Sequence, residues 1–526
     1  MKPKPTNPLV NALLTDKYQL TMAYGYWKNG IHEEEAVFNL FFRKCPLKLE
    51  FAFFAGLDEA KRFVVSFGFT ESDIEYLKQE MPIECEPEFF DWLLALDASK
   101  IQIKAIPEGN IVFPQEPLME VKGPLAVAQL LETTLIDLTG FPSLSATSAA
   151  KFRLAVGPDI RLIEYGLRRS QGPDGGLTAS RSSYLGGFDG TSNVLAGKLY
   201  GVPIFGTMAH SYITAFSGVK AKKRPILLNK KTGKTQNFRR VVLRYRNRLG
   251  FQNMNQSELD AFISYACAFP NHFLALVDTY STLRSGVPNY IAVALALLNF
   301  GYQPLGIRLD SGDLALLSKE ARVLFEKTAA VYLKFKEGLL KSQIFVSNDI
   351  NHNSIEALWE AGHAINAFGI GTHQATCKDQ PALGMVYKLV QIGGKPCLKV
   401  SEDDDKINLP GEKIVYRLWG KEGPIADLIA LADEPEPEIG QGIKVHLKEG
   451  VLTVWPTMVM KTNPVQIPEN PFTDKAGLPE FRERVLNWLK EFPEKHLRLK
   501  NPERYPVGVS LKLKRLQAKL IAISNR

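Results

Sequence analysis

The sequence has few cysteines and no close pair of them. Its 526 residues contain five, at Cys45, Cys85, Cys267, Cys377 and Cys397, and none forms a C-x-x-C motif. An odd number of widely spaced thiols argues against a disulfide framework and against a zinc site built from thiolates. We therefore expect all five cysteines to be reduced.

Long apolar runs are also missing. The longest, over residues 291–298, is far shorter than the roughly 20 residues that cross a bilayer. The first residues, MKPKPTNPLVNALLTDKYQL, lack the uninterrupted apolar stretch and the cleavage site of a secretory signal. We expect a cytosolic protein with no membrane partner.

Acidic residues are absent from one long segment. Residues 220–248 contain twelve Lys or Arg and no Asp or Glu, and residues 495–526 contain nine basic residues against Glu503. These two segments together carry +20, and because the whole chain carries +8, the remainder carries −12. Such segments can bind nucleic acid, but they can also steer small polyanions or simply be solvated. We favour the last two interpretations and expect no nucleic-acid partner.

What the chain does contain is a repeating pattern of strands and helices. Its length and its 45% hydrophobic content predict a globular protein of two or three domains. Between residues 161 and 372, six runs rich in β-branched residues each end at polar residues or glycine; they are RLIEYG, VPIFGT, FLALVDT, PLGIRLD, SQIFVSN and INAFGIG. This β-α alternation predicts parallel strands with right-handed crossovers. A closed or nearly closed barrel and an open doubly wound sheet would both produce it.

Polar side chains and glycines follow the predicted strands at their carboxyl ends, the edge where both architectures bind ligands. They are Glu164, Arg168, Arg169, Thr207, His210, Asp278, Arg308, Asp310, Asp313, Asn348, Asp349, Gly369, Gly371 and Thr372. We expect a ligand site at this edge, which we call the rim.

Residues 369–372, the GIGT segment, come directly after an apolar run. Gly369 and Gly371 would let backbone N–H groups approach a phosphate, and Thr372 adds a hydroxyl donor. A tight strand-to-loop turn is an equally good interpretation of these four residues alone. Their position at the rim favours a phosphate site.

The segment GIRLDSGDL supplies one fixed cation, Arg308, and two carboxylates, Asp310 and Asp313. Carboxylates bind magnesium or ribose hydroxyls, and the arginine fork suits a carboxylate or a phosphate. A helix cap with a surface ion pair is the alternative, and for Asp313 alone it is equally good. For the group as a whole we favour binding.

Two aromatic side chains of the rim have ambiguous roles. A single histidine such as His210 is more often structural than catalytic. Tyr165 suits stacking on an aromatic base or packing in the core. The surrounding segment EYGLRRSQGPDGGLTASRSSYLGGFDGTSN is rich in glycine and arginine and looks like a substrate-enclosing loop.

Motifs along most of the chain resemble those of one family, in family order. They are LLTDKYQLTMAYGYW, FNLFFRKCP, GLRRSQGPDGGLTAS, YLGGFDGTSNVLAG, GTMAHS, LVDTYSTLRSG, GIRLDSGDL, GIGT, LGMVYKLV and LPGEK. On these motifs the chain resembles the nicotinate phosphoribosyltransferases. The resemblance implies an irregular, TIM-like α/β barrel with an additional α+β domain formed from N-terminal and C-terminal segments. We expect an N-terminal domain at 1–150, the barrel at 151–385, and a C-terminal segment at 386–526 packed on the N-terminal domain.

The resemblance also implies a reaction. Nicotinate and phosphoribosyl pyrophosphate would give nicotinate mononucleotide and pyrophosphate, with ATP hydrolysis coupled to the transfer, as the first step of NAD salvage from nicotinate. Mg²⁺ or Mn²⁺ would be the cofactor and ATP a co-substrate. The enzyme would be a homodimer whose active sites lie at the subunit boundary.

Roles for single residues follow from the same resemblance. The implied nicotinate-binding residues are Tyr18, stacking across the dimer boundary, Tyr165 on the opposite face, Thr207 and Arg308 at the carboxylate, and Ser192, where the nicotinamide enzyme carries an acidic residue that would repel nicotinate. The implied phosphoribosyl pyrophosphate contacts are Thr372, Gly369, Gly371, Arg43 and Arg168. His210 would be phosphorylated by ATP, Asp278 and Asp310 would be catalytic, and Asp310 and Asp313 would hold the metal.

Two alternatives stay open. One is a barrel phosphoribosyltransferase that uses nicotinamide or quinolinate. The other is an inactive barrel that acts as a polyanion-binding scaffold, which the two basic segments would suit.

Overall fold

The computed structural model describes residues 3–218, 224–401, 406–462, 465–467 and 477–524. Lys220, Lys222 and Lys223 of the basic segment lie outside the described residues. Within the described ranges no helix is long and apolar enough to span a membrane, and all five cysteines are free thiols.

The strands, in chain order, are β1 (Glu35–Phe42), β2 (Ala52–Phe53), β3 (Gln102–Ala105), β4 (Ile111–Val112), β5 (Met119–Pro124), β6 (Arg161–Glu164), β7 (Gly190–Thr191), β8 (Ile226–Asn229), β9 (Lys234–Asn237), β10 (Leu274–Leu276), β11 (Gly306–Leu309), β12 (Gln343–Ser347), β13 (Ala367–Ile370), β14 (Met385–Ile392), β15 (Lys395–Pro396), β16 (Lys413–Gly420), β17 (Gly423–Leu431), β18 (Ile443–His446), β19 (Val451–Val454), β20 (Met458–Lys461), β21 (Val465–Ile467) and β22 (Val507–Val509).

The α-helices are α1 (Lys17–Lys28), α2 (Leu57–Ser66), α3 (Glu71–Glu80), α4 (Pro87–Ala95), α5 (Leu125–Leu130), α6 (Glu132–Val156), α7 (Gly172–Leu185), α8 (Val194–Tyr200), α9 (His210–Thr214), α10 (Phe238–Arg248), α11 (Gln256–Ala268), α12 (Val287–Phe300), α13 (Leu314–Val331), α14 (Lys336–Leu340), α15 (His352–Ala361), α16 (Thr372–Ala375), α17 (Leu478–Glu491), α18 (Glu494–Leu497) and α19 (Leu511–Ser524). Three short 3₁₀ turns (Leu167–Arg169, Ala215–Ser217 and Leu333–Phe335) and one π-helical turn (Thr282–Gly286) join them.

The middle of the chain forms a parallel sheet with the strand order β10-β11-β12-β13-β6-β7. Every neighbouring pair is parallel, which confirms the mixed α/β prediction. The strands are short, apolar and almost wholly buried, as expected when helices cover a parallel sheet. Their carboxyl ends therefore share one edge.

One predicted strand is wrong. The run VPIFGT forms no strand, only an isolated parallel bridge between Ile204 and Thr191. Pro203 has no N–H to donate to a ladder, so it limits the pairing of this run. The two-residue strand β7, which precedes it, was not predicted.

The helices after β11 and β12 begin where their sequences supply caps. Asp313 Oδ1 accepts a hydrogen bond from Leu316 N at the start of α13, as one of the two interpretations required. Asn351 and Ser354 form a reciprocal capping box at the start of α15. These caps direct each chain segment away from the rim.

A second, antiparallel sheet has the order β15-β14-β1-β5-β3-β21 and so combines strands from distant parts of the chain. β1, with seven of its eight residues buried, lies between β14 and β5. The domain boundaries expected at residues 150 and 385 stay predictions, since α6 runs through the first and β14 begins at the second.

A third sheet, β19-β18-β22-β17-β16-β20, consists of C-terminal strands. Arg417 and Asp427 form a buried ion pair across β16 and β17, with 2.6 Å between Arg417 Nη2 and Asp427 Oδ2. Arg417 also donates to Ile111 O, and Tyr505 OH donates to Asp427. Because every one of these groups is bonded, the contact fixes the C-terminal sheet on the N-terminal region.

The described part of the basic segment is folded. It forms the β8–β9 hairpin and α10, whose apolar residues face α12. Arg246 donates to the backbone oxygens of Phe251, Gln252 and Met254. Part of its positive charge therefore serves local structure.

Candidate active site

Four elements bring the predicted chemistry together at the rim. Arg308 lies within β11, Asp310 follows that strand, Asp278 follows β10, and His210 begins α9. Carboxyl ends of neighbouring parallel strands meet at one edge, so residues far apart in sequence become neighbours here.

His210 is held between a hydroxyl and a carboxylate. Its Nδ1 lies 3.1 Å from Thr279 Oγ1, and its Nε2 lies 3.7 Å from Asp310 Oδ2. The imidazole is 44% exposed, so it can meet a ligand from solvent. This is the rim position that the sequence predicts.

Asp278 and Asp310 are organised by hydroxyls and by the backbone. Asp278 Oδ2 accepts from Asp310 N at 3.0 Å and from Ser311 Oγ at 2.5 Å, while Ser347 Oγ donates to Asp310 Oδ1 at 2.5 Å. Asp278 Oδ1 is buried and has no hydrogen-bond partner within the described ranges. A buried acceptor without a partner is costly unless a ligand or ion binds it.

Arg308 presents free donors beside a free hydroxyl. Its Nη2 donates to Met208 O at 2.9 Å, whereas its Nε is buried without a partner among the described residues. Thr207 Oγ1, one residue before Met208, is likewise buried and unpaired in that part of the chain. A fork and a hydroxyl with unused donors suit an anionic oxygen.

Tyr165 packs at the bottom of this site. Burial raises the pKa of its phenol, and the neighbouring Arg308 cation opposes that rise. The ring occupies the space where Gly369 would carry a side chain. Gly369 lies inside β13 and not after it, so the structure gives it a packing reason to be glycine. Gly371 and Thr372 follow the strand and stay at the rim.

We expect Gly369→Ala to displace the Tyr165 ring, because a Cβ at this position overlaps ring carbons. Overpacking of this kind costs about 1–3 kcal/mol of unfolding free energy, which urea denaturation would measure. Gly140→Ala on α6 is the matched control, since its Cβ meets nothing within 4 Å. Equal stability of the two variants would contradict the packing argument.

Glu164 is a residue whose role the sequence did not reveal. It is buried at the end of β6, and its carboxylate accepts from Gly166 N, Ser180 Oγ and Thr191 Oγ1. Burial raises the pKa of Glu164, although these donors act against the rise. It thereby holds together the loops on both sides of β6. No motif marks it, because its partners are set by the fold.

Three other predicted residues lie near the rim with fewer contacts. Ser192 N donates to Glu164 O at 2.9 Å. Arg168 is exposed in the 3₁₀ turn after β6. Asp313 uses one carboxylate oxygen for its helix cap, so fewer of its oxygens are available to a metal.

Tyr18 and Arg43 belong to the N-terminal region. Tyr18 is 48% exposed on α1, beside Glu132 and Thr133 at the start of α6. Arg43 follows β1 and lines a cavity of about 880 Å³ with Lys48, Arg504 and Lys514. Within one described chain, the contacts of these two residues are made away from His210 and Arg308.

The donor set at the rim fits a hard cation in part. Asp278 offers an unpaired carboxylate oxygen, and Asp310 Oδ2 faces the rim, which suits the oxygen ligands that Mg²⁺ prefers. Across the described ranges, no group of three or more His, Cys, Asp or Glu side chains surrounds a common metal position. A magnesium ion would therefore need ligand atoms from its substrates as well.

Comparison with known proteins agrees with this geometry. The profile of the nicotinate phosphoribosyltransferase (NAPRTase) family matches residues 160–418, and those of the nicotinate phosphoribosyltransferase N-terminal and C-terminal domains match residues 13–139 and 412–517. The nicotinate phosphoribosyltransferase of Caenorhabditis elegans is 46% identical over 96% of this chain and 92% of its own length, and that of Homo sapiens is 44% identical over 97% and 96%.

The structural comparison covers the same length. The crystal structure of human nicotinic acid phosphoribosyltransferase superposes with a TM-score of 0.85 at 41% identity, over 96% of this chain and 99% of that one. The nicotinate-nucleotide pyrophosphorylase of Pyrococcus furiosus, at 19% identity and a TM-score of 0.57, shares the fold. The chain therefore belongs to the nicotinate phosphoribosyltransferase family.

Proposed function

We propose that this protein transfers a phosphoribosyl group from phosphoribosyl pyrophosphate to nicotinate, which releases pyrophosphate and forms nicotinate mononucleotide. In a cell this would be the first step of NAD salvage from nicotinate, in the cytosol. One observation carries the proposal: the unused donors of Arg308 and Thr207 lie at the same rim as the carboxylates of Asp278 and Asp310. The first pair suits the carboxylate of the base, and the second suits a ribose or its developing charge.

The chemistry asks mainly for positioning. When pyrophosphate leaves, positive charge develops at the anomeric carbon of the ribose, and the pyridine nitrogen attacks with its own lone pair. The reaction therefore needs no general base, and orientation with charge stabilisation lowers the barrier. Asp310, fixed by Ser347 and by its backbone bond to Asp278, is a preorganised negative charge for that step.

The rim acts as one site if the parallel sheet curls into an irregular barrel. β13, the last strand of the sheet in sequence, pairs with β6, the first. Side chains from strands β6, β10, β12 and β13 also meet in one apolar cluster, Ile163, Leu274, Phe345 and Ala367. Since three strands separate... β10 from β6 in the sheet, side chains of these two strands meet only if the sheet is strongly curved.

ATP enters through His210. We propose that its imidazole is phosphorylated by ATP and that hydrolysis of the phosphoimidazole is coupled to phosphoribosyl transfer. The half-exposed ring, with Thr279 fixing one nitrogen and Asp310 near the other, supports this role. A change of charge at His210 would act directly on Asp310, and so on the ribose site.

Magnesium would be held by Asp278 and Asp310 together with substrate oxygens, with Asp313 or Mn²⁺ as lesser candidates. When bound, the ion would neutralise charge on the pyrophosphate that leaves. Gly371 and Thr372 would receive a phosphate of the substrate, with Gly369 shaping the strand beneath them. Arg168, exposed beside them, would add positive charge.

A homodimer would complete the site. The exposed ring of Tyr18 would stack on nicotinate bound by a second copy, opposite Tyr165, and Arg43 would bring the basic cavity toward the pyrophosphate. Ser192 places no negative charge near the carboxylate of the base, which favours the acid substrate over the amide.

The test is a choice of base. With phosphoribosyl pyrophosphate, Mg²⁺ and ATP, we expect kcat/KM for nicotinate to exceed that for nicotinamide by about 1000-fold, because a site built to bond an anion rejects its neutral analogue. Quinolinate should give no product. Mass spectrometry of the mononucleotide identifies the base. Preferential use of nicotinamide or quinolinate, or binding of polynucleotide without any transfer, would overturn the proposal.

A further inference from the structure

A second histidine lies directly behind the GIGT segment. His373 follows Thr372 in α16, and its side chain is only 10% exposed. Both ring nitrogens are buried, and neither has a hydrogen-bond partner in the described ranges. A nine-tenths buried imidazole with two unused nitrogens calls for a physical explanation.

Two carboxylates face the ring from opposite sides. Asp349 Oδ1, in the turn after β12, lies 3.7 Å from His373 Nε2, and Asp379 Oδ1, after α16, lies 4.0 Å from Nδ1. Both distances are too long for a hydrogen bond of a neutral imidazole. They are short enough for strong attraction to an imidazolium, because charges attract more strongly where water is excluded.

The remaining charged neighbours do not compete for this role. His352, on α15, is buried against Phe152, and burial together with the nearby Lys151 lowers its pKa to about 3, so it stays neutral. Lys151, on α6, donates its Nζ to a backbone oxygen, that of Leu47, at 2.9 Å. Asp349 and Asp379 are thus the acids that face His373.

The backbone around this cluster is strained. Asn348 has φ 142°, Asp349 has φ 47° and Cys377 has φ 45°, all in the region that disfavours side chains. Each such residue costs about 1–3 kcal/mol and persists where the surroundings require it, commonly at functional sites. Two of the three flank the carboxylate that faces His373 Nε2, and the third lies in the turn that leads to Asp379.

The GIGT segment is anchored from below by a different residue. Gln374 Nε2 donates to Ser145 O at 2.9 Å and to Ser183 Oγ at 2.8 Å, which fixes α16 on α6 and α7. The only side chain of α16 that reaches toward both acids is that of His373 within the described structure. Vertical position and lateral orientation of this short helix therefore depend on different residues.

We propose that His373 is a positioning residue of the phosphate site: its imidazolium bridges Asp349 and Asp379 and thereby fixes the direction in which the backbone of Gly371 and Thr372 meets a phosphate. This inference rests on the proposed function, because the phosphate is that of phosphoribosyl pyrophosphate. An incoming phosphate adds negative charge beside the ring and so favours its protonated form. Histidine changes charge between about pH 5 and 8, so binding of this substrate should weaken as pH rises through that range.

The experiment compares His373→Gln with the wild-type protein from pH 5.5 to 8.5. At the acid end we expect KM for phosphoribosyl pyrophosphate to rise about tenfold in the variant, as for a lost charge-assisted contact, with kcat and KM for nicotinate unchanged. At the alkaline end the ratio of the two KM values should approach one. His272→Gln, an exposed histidine before β10, is the control and should keep a ratio of one throughout.

A purely structural role would give a KM ratio independent of pH, and that result would overturn the inference. Asp379→Asn is a second variant for the case that His373→Gln does not fold, since Asp379 is 55% exposed; it should show the same loss at acid pH, and an unchanged KM would also overturn the inference. Failure of the proposed function is distinguishable, because the wild-type protein would then form no nicotinate mononucleotide at any pH.

Discussion

Arg308→Ala is expected to lower kcat/KM for nicotinate by about 100-fold to 1000-fold, since removing one partner of a desolvated charge pair costs roughly 3–5 kcal/mol. Arg308 offers an unpaired Nε beside the unpaired hydroxyl of Thr207, and no other cation shares that position among the contacts of the described rim. Steady-state kinetics with nicotinate and with nicotinamide measure the effect. The neutral base should lose much less, because it never bonded the cation through a charge.

Arg308→Lys is the matched control for this prediction. Lysine keeps the charge but replaces the planar fork by a single ammonium group. We expect it to fall between the wild-type protein and Arg308→Ala with nicotinate. If Arg308→Ala lowered kcat/KM for both bases by the same factor, Arg308 would act on the ribose or on folding, and its assignment to the carboxylate of nicotinate would be wrong.

His210→Ala is expected to abolish the stimulation of transfer by ATP while some ATP-independent transfer remains. The imidazole is the nucleophile that would receive the phosphoryl group, whereas Arg308, Asp278 and Asp310 do not depend on it for their own contacts. Mononucleotide formation measured with and without ATP gives the ratio directly. The expected ratio is one in the variant and greater than one in the wild-type protein.

Thr279→Val provides the control for His210. It removes the hydroxyl 3.1 Å from Nδ1 but leaves the imidazole itself, so it should weaken ATP stimulation without eliminating it. Undiminished stimulation in His210→Ala would exclude a phosphohistidine at this position.

The parallel sheet was predictable because its signal is local. Each strand from β11 to β13 is an apolar run that ends at polar residues and precedes an amphipathic helix, and the caps at Asp313 and Asn351 lie within their own segments. Meeting of His210 with Asp310 also follows from the sequence, since parallel strands bring their carboxyl ends to one edge. The family resemblance then supplied roles that the pattern alone left open.

Other features depend on contacts between distant residues. The hub at Glu164 involves Ser180 and Thr191, and nothing in the segment that contains Glu164 indicates those partners. Gly369 carried a plausible phosphate signal, yet its missing side chain makes room for Tyr165 from another strand. The sheet around β1 combines strands more than 250 residues apart, and no periodicity encodes that pairing.

The central place of β1 in its sheet has a consequence for how the chain is made. β1 emerges from the ribosome early, but its partner β14, residues 385–392, is translated only after the whole parallel sheet. Until then one side of a strand with seven buried residues has an open edge, the kind of edge that pairs with other chains. Newly synthesised protein should therefore aggregate most readily when translation stops between β13 and β14, and ribosome-bound chains of that length should need a chaperone more than completed ones do.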